Sequence, residues 1–463
     1  MESNIGDDLG LGIALPGSRL VDAQGHRKVH PLTPLVHAVA VVPAMIGVAI
    51  AFSAPSGFAW MNFIPGLGSI ATVLLGLAIL TFLFSALVAG YQYLAWRNLS
   101  FWFDSDGDFR VRSGVVMRQE RRVQLSRIQA VDVIQPLAAR IFSMAALVIE
   151  VAGQDNSRVQ LKYLTLADAR EIRGEVLARS AGLHARTPEA PQNELFRVAT
   201  RDLVISLLLR SSTLGLLLVS AVLLFISYLT EGWAGLGIAL ATGAAPIVIV
   251  IAEFLRYYGF TISESPDGLR LKYGLLRTET RTVPPGRVQS IDFVEPLLWR
   301  RWAWTRVRIN IAGVGKQSSD GNSQNQETLL TPVAPIALAR ALVARVLPEL
   351  NVEALHWHRA PDRARRRSPI QWQQLAVAWD EHVFAIRRGR VTRHLAAVPH
   401  ERTQSVRYTQ GPWERALTLA SVHVDTTPGP VRVTGLHLDA NFAQEVAHEQ
   451  AARSHVARRD SAS

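Results

Sequence analysis

The residues best placed to do chemistry are arginines, because they recur at fixed distances from a glycine. Arg118, Arg121 and Arg122 follow Gly114; Arg277 and Arg281 follow Gly274; Arg390 and Arg393 follow Gly389, with Arg387 and Arg388 just before it. Guanidinium groups gathered at a turn can hold phosphate, and beside an anionic leaflet each contributes roughly 1 kcal/mol. A solvated strand face is the plainer reading of the same pattern. A second candidate is Trp299-Arg300-Arg301-Trp302-Ala303-Trp304, whose aromatic and cationic residues suit a membrane interface. Core packing is its competing reading, since Ile141 and Phe142 stand at the matching place after Gly114.

Other motifs carry less. Asp104-Ser105-Asp106-Gly107-Asp108 resembles a calcium loop, but its glycine is at the fourth position where an EF-hand needs it at the sixth, so a turn is expected. His356-Trp357-His358 offers two metal ligands with no further ligand at suitable spacing. No phosphate-binding loop, dinucleotide fingerprint or nucleophile elbow is present. The polar residues that recur are Arg and Gln, neither a usual general base, so no enzyme, cofactor or metal is expected. The absence of cysteine excludes disulfides and thiolate sites.

The elements that must position these residues are written three times. Arg127-Ile128-Gln129-Ala130-Val131 returns as Arg287-Val288-Gln289-Ser290-Ile291 and as Arg402-Thr403-Gln404-Ser405-Val406, each 13 residues after its glycine. Pro136 and Pro296 lie 22 after theirs, where the third copy has Gly411; Gly153 and Gly313 lie 39 after, and Gly429 lies 40 after. The segments alternate with period two, which predicts a repeated β module. Recurrence in three contexts marks Gly114, Gly274, Gly389 and the Arg-x-Gln pairs Arg127/Gln129, Arg287/Gln289 and Arg402/Gln404 as a requirement of the fold. Each module is expected to end in a helix, with Thr165 capping the first and Asp439 near the start of the third.

The chain is 49% apolar, and the excess sits in four blocks. Residues 35–52 and 70–96 form one expected transmembrane hairpin, and 203–228 and 233–255 a second. Arg210 is expected to snorkel from the start of the third span. The layout expected is an N-terminal segment (1–34), hairpin (35–96), module (97–181), linker (182–202), hairpin (203–256), module (257–350), basic linker (351–369), module (370–454) and tail (455–463). Arg19, Arg27, Lys28, Arg97, Arg197, Arg201 and Arg256 flank the spans on one side, whereas the opposite loops hold no Arg or Lys. By the positive-inside rule, the termini and modules face the cytoplasm.

The glycine turn, the Arg-[Ile/Val/Thr]-Gln-x-[Val/Ile] stretch, the following Pro-Leu segment and strands ending Ala152-Gly153 and Ala312-Gly313 resemble the bacterial pleckstrin-homology-like (YdbS/YdbT-type) membrane protein family. The resemblance covers nearly the whole chain from about residue 35, and the third copy departs most, at His394, Ala396 and Pro412. It implies an α+β membrane protein whose PH-like modules are two packed antiparallel sheets capped by a C-terminal helix. The role expected is a scaffold or binding protein at the inner membrane, by resemblance in envelope-stress or antimicrobial-peptide tolerance. Membrane lipids and another membrane protein, such as a smaller member of the same family, are the expected partners. A component of a transport or export complex is the alternative; nucleic acid is not expected.

Overall fold

The computed structural model describes residues 27–33, 70–104, 108–114, 117–125, 128–151, 158–180, 193–231, 236–265, 268–284, 286–312 and 328–460. The expected first span (35–52), the loop after it, Arg127, the centre of the calcium-like turn and the polar hairpin tip 316–327 lie outside them. The chain folds as two compact units. One gathers Met1–Ser126, Ala138–Leu147 and Gln160–Gly182; the other gathers Arg127–Leu137, Val148–Val159 and Leu183–Ser463.

In the first unit, β1 (Arg27–Lys28), β2 (Ser100–Phe103), β3 (Phe109–Ser113) and β4 (Gln119–Val123) make an antiparallel sheet in that order. Helix α1 (Ile70–Arg97) is inserted between β1 and β2, and Trp96 Nε1 donates to Val29 O at 2.9 Å, tying the helix end to the strand segment. The strand β5 (Ile128–Pro136) and short helix α2 (Leu137–Ile141) are followed by β6 (Met144–Val151), β7 (Arg158–Thr165) and helix α3 (Leu166–Ser180). Thr165 Oγ1 accepts from the Asp168 amide at 3.1 Å, satisfying one of the free donors of the first turn of α3.

The second unit holds two complete modules. In module 2 the strand β8 (Asn193–Arg197) precedes α4 (Thr200–Leu208), α5 (Ser211–Glu231) and α6 (Leu236–Tyr257), and pairs with β9 (Thr261–Ser265) after them. β10 (Gly268–Tyr273) and β11 (Arg277–Val283) complete that sheet, and β12 (Val288–Pro296), β13 (Trp304–Ile311) and β14 (Leu329–Pro335) form the second, backed by α7 (Ile336–Val346). Module 3 repeats the plan with β15 (His358–Arg359), β16 (Ala376–Trp379), β17 (Val383–Arg388) and β18 (Thr392–Pro399), then β19 (Ser405–Thr409), short helix α8 (Pro412–Ala416), β20 (Leu419–Asp425), β21 (Val433–Asp439) and α9 (Ala440–Asp460). Asp439 Oδ1 accepts from the amides of Asn441 and Phe442, so the carboxylate caps α9.

Each helical block thus replaces the connection of the module's first hairpin, and in module 3 residues 360–375 take its place. The segments expected as linkers, 182–202 and 351–369, contain β8 and β15 for this reason. His358 of the His-Trp-His motif lies in β15 and stacks on Trp379 with centroids 4.9 Å apart.

Among the described residues, one of the four expected spans has the length and hydropathy of a membrane-crossing helix. Ser211–Thr230 is long and apolar enough to cross a membrane, with a mean hydropathy of 2.2 and 6% of that window buried. α1 and α6 occupy the positions of the second and fourth expected spans, but the side chains of each are described only in part. Arg210, just ahead of α5, donates to Glu253 of α6 at 2.6 Å, so its charge is met across the helix pair.

The turn glycines have one role in all three modules. Gly114, Gly274 and Gly389 have φ of 117°, 106° and 83°, and an added Cβ would stand 1.9–2.0 Å from the carbonyl oxygen three residues on. Only glycine fits there. The turn aims β4, β11 or β18 back along its sheet.

The modules of the second unit are not separate β domains. β5 pairs antiparallel with β11, so the sheet of module 2 runs β5-β11-β10-β9-β8; β12 pairs with β18, giving β14-β13-β12-β18-β17-β16-β15. Arg277 faces Pro136 at one joint, and Thr392 faces Pro296 at the other; in both, the third residue after a turn glycine meets the twenty-second after the preceding one. The register is therefore repeated. Asn310 locks the second joint: its Nδ2 donates to Val431 O at 3.0 Å and its Oδ1 accepts from Val431 N at 2.9 Å.

Candidate functional site

The second joint gathers arginines that the sequence places in three separate stretches. The 3-10 turn Leu298–Trp302 follows β12, and Arg300 Nη2 donates to Arg390 O at 2.6 Å and Val391 O at 3.2 Å in the turn between β17 and β18. Arg393 lies directly opposite Glu295 across β12·β18. Arg387 stacks over Trp357, 3.8 Å from the ring centroid.

Electrostatics marks this cluster as short of negative charge. Burial, then the nearby Arg393, lowers the pKa of Arg300; burial, then Arg340, lowers that of Arg387. Burial also lowers that of Arg388, against the pull of Asp292. Glu295 is pushed up by burial even though Arg393, Arg300, Arg340 and Arg387 surround it. Such a group of cations gains from an added anion, and phosphate matches the guanidinium fork.

The same face is apolar at its rim. Leu297, Leu298, Trp302 and Val391 are 41–51% exposed. The 3-10 turn is fastened to the helical block by Trp299, fully buried, whose Nε1 donates to Ser206 O of α4 at 3.0 Å. α4 leads directly into α5, so the arginine cluster stands near the start of the apolar helix.

The remaining candidates are divided by their surroundings. Trp299 and Trp304 belong to the core of module 2, while Trp302 and Arg301 are exposed; the interface reading fails for the first two because their rings pack inside. Arg281 is not available to a headgroup: it is 5% exposed, and its Nε meets Asp132 Oδ2 at 3.3 Å and its Nη1 meets Thr328 Oγ1 at 3.2 Å. Arg277 is exposed and pairs with Glu279 at 3.0 Å. Arg118, Arg122 and Arg390 are exposed, and Arg121 is half-buried on β4.

The second Arg-x-Gln pair lies at the first joint. Arg287 Nη2 donates to Ile128 O at 3.3 Å, and Gln289 Nε2 donates to Arg287 O at 3.4 Å. Arg402 pairs with Glu401 at 2.8 Å, and its Nη2 would stand 3.9 Å from a Cβ added to Gly286. Gln404 is exposed, and the Gln129 side chain lies outside the described residues.

Two further signals were present in the spacing. Asp132 and Asp292 both fall 18 after their glycine, and Arg140, Arg300 and Arg415 all fall 26 after. The carbonyl of each of those arginines accepts from the residue three on (Ser143, Ala303, Thr418), all with positive φ near 50°. Arg340 and Arg359, which border the cluster, follow no such pattern. Among the described residues no group of His, Asp and Glu is arranged to hold a metal.

Two antiparallel sheets and a C-terminal helix, repeated and joined edge to edge, define a protein built of PH-like modules. The chain belongs to the bacterial PH domain family, which it matches over residues 38–180, 206–350 and 355–453. It is 24% identical over 320 residues to the UPF0699 transmembrane protein YdbT of Bacillus subtilis (strain 168), covering 62% of this chain and 63% of that relative. The chain thus spans less than two thirds of the relative's length. No solved structure matches it.

Proposed function

We propose that the chain is an integral inner-membrane protein, anchored by two helical hairpins, that presents three cytoplasmic PH-like modules as a binding scaffold. Its ligand is the anionic lipid headgroup, held where modules 2 and 3 join. The observation that carries this is the gathering of Arg300, Arg387, Arg390 and Arg393 beside exposed Leu297, Leu298, Trp302 and Val391 at the foot of the helical block. Cations alone fit many anions; cations rimmed by apolar side chains next to a spanning helix fit a membrane surface. Arg/Lys flanking of the helices and the transmembrane relative support the same placement.

The test is lipid retention. The full chain, purified in detergent, is titrated with phosphatidylglycerol and followed by native mass spectrometry. Replacing Arg300 and Arg393 with Gln removes two charges, each contributing roughly 1 kcal/mol, so retention should fall about thirtyfold, with added salt acting in the same direction. Unchanged retention in a folded double variant rejects the headgroup reading.

A further inference from the structure

Each joint in this protein uses the same two strands: one that follows the turn glycine and one that begins at the Arg-x-Gln stretch. Three modules supply three of each, and two joints consume two of each. What remains is β4 of module 1 and β19 of module 3. Among the described residues each has a strand neighbour on one side only, β3 and β20 respectively. Open edges of this kind present unpaired backbone donors and acceptors and are a template for pairing.

The side chains of β4 are arranged for a partner. Glu120 is engaged with Arg110 and Arg112 of β3, and Arg122 with Asp108. Arg121 lies on the other face of the strand, with Val123, and opposite buried Val111. Its equivalent in module 2 is Arg281, likewise on the face of buried Val283 and opposite buried Leu271. Arg281 is matched by Asp132, which lies on the strand of the preceding module. In the second joint the equivalent carboxylate, Asp292, takes His394 from the following module at 3.0 Å. Both joints therefore place a carboxylate of the Arg-x-Gln strand against a nitrogen-bearing side chain, Arg281 or His394, of the glycine-turn strand. Among the described residues, no carboxylate lies within ion-pair distance of Arg121.

A second copy does not supply one. If β19 of another molecule met β4 in the register of the joints, Gln119 would face Thr409 and Arg121 would face Arg407. Arg407 stands where modules 1 and 2 carry Asp132 and Asp292, and it is turned to Asp425, which stands where module 2 carries Asn310. Like charges directly opposite disfavour pairing. The third module is thus made unfit to continue the chain into a polymer, which an open head-to-tail joint would otherwise permit.

We propose that the free edge of β4 is a docking site for the Arg-x-Gln strand of a PH-like module in a different protein, one carrying Asp or Glu 18 residues after its turn glycine. That partner extends the first sheet as β5 extends the sheet of module 2, and its carboxylate pairs with Arg121. The proposal does not depend on the headgroup site.

The chain has no cysteine, so a single introduced thiol is specific. The full chain with Gln119→Cys, in detergent, is mixed in a glutathione redox buffer with a peptide copying residues 128–136 in which Cys replaces Ile134, the residue that faces Glu279 in the first joint. Disulfide adduct is expected, about tenfold above that of the same peptide bearing Asp132→Arg and lost on Arg121→Asp in the chain. Equal yields from the two peptides, or no adduct, overturn the proposal. A second experiment asks about self-pairing with Cys at both Gln119 and Thr409. The chain with Arg407 and Asp425 unchanged should give no linked oligomers, whereas Arg407→Asp with Asp425→Asn, which gives module 3 the residues of module 2, should give them. Oligomers of the unaltered pair would make a second copy the occupant and reject a foreign module.

Discussion

Between β5 and β11 a buried carboxylate, Asp132, meets the guanidinium of Arg281 from the next module, and both side chains are 6% exposed. Between β12 and β18 the equivalent Asp292 meets Arg308 from its own sheet at 2.6 Å and His394 from the next module at 3.0 Å. The backbone register is the same at both joints, so the polar lock is what differs. Register follows from the turn glycine, which fixes where the joining strand starts, and from burial on both faces of the central strands. The lock needs only that a carboxylate taken out of water find a cation, and more than one donor geometry satisfies that. A rigid backbone rule with a variable polar partner lets one module join its neighbour without joining every other.

The first way to break the comparison is to remove a charge from the lock whose basic partner is the more buried. Asp132→Ala removes the carboxylate that Arg281 meets across the joint, and should cost about 3–5 kcal/mol, read as a lowered unfolding temperature of the full chain in detergent. Replacing both residues with Leu should recover most of that loss, because no charge is then stranded. Asp292→Ala should cost less, since Arg308 is 18% and His394 21% exposed and can turn to solvent. An equal loss at the two joints would mean that burial does not set the difference.

The second acts on the rule the joints share. Gly389→Ala puts a Cβ 2.0 Å from the Thr392 carbonyl and forces an L residue into a left-handed turn, so β18 must shift against β12. A cost of about 3 kcal/mol is expected, with hydrogen exchange rising in β12 and β18 and little changed in β5 and β11. Exchange rising in both joints together would show them to be one cooperative element.

Much of this was legible in the sequence because it is local. The turn glycines, the Thr165 cap, the helix start near Asp439 and the alternation of the long strands follow from sterics and period within a few residues. β1, β8 and β15 were not legible: two to five residues carry no period, and each pairs with a strand on the far side of an inserted segment. The joints were hidden for a related reason, since pairing between modules leaves no mark except in residues such as Asp132 and Asn310 that contact another repeat. Arg281 looked like one more turn arginine, because only its distant partner reveals that it is buried. The Trp299–Trp304 stretch held both readings at once. A five-residue helical turn sends Trp299 inward and Trp302 outward, and composition cannot separate them.

The smallest effect expected is with pH, and it separates the two ends of the second unit. His400 is 1% exposed, and burial lowers its pKa below the ordinary value of 6.5; its Nε2 donates to Asp380 O at 3.1 Å. Burial, then Arg407, lowers that of His423 on β20 as well. Below 6.5 the unfolded chain takes up a proton that the fold refuses, until the lowered value is reached, so stability present at neutral pH is lost as pH falls through that window. One such group changes stability by at most about 1.4 kcal/mol per pH unit. Both histidines belong to module 3, and the Asp132–Arg281 joint contains none. Acidification from pH 7.5 toward 5.5 should therefore raise hydrogen exchange in β17 to β20 before it does so in β5 and β11. His400→Gln keeps a donor for the Asp380 carbonyl but cannot titrate, and should flatten the response of module 3; an unchanged slope in that variant would assign the sensitivity to His423 or to another group.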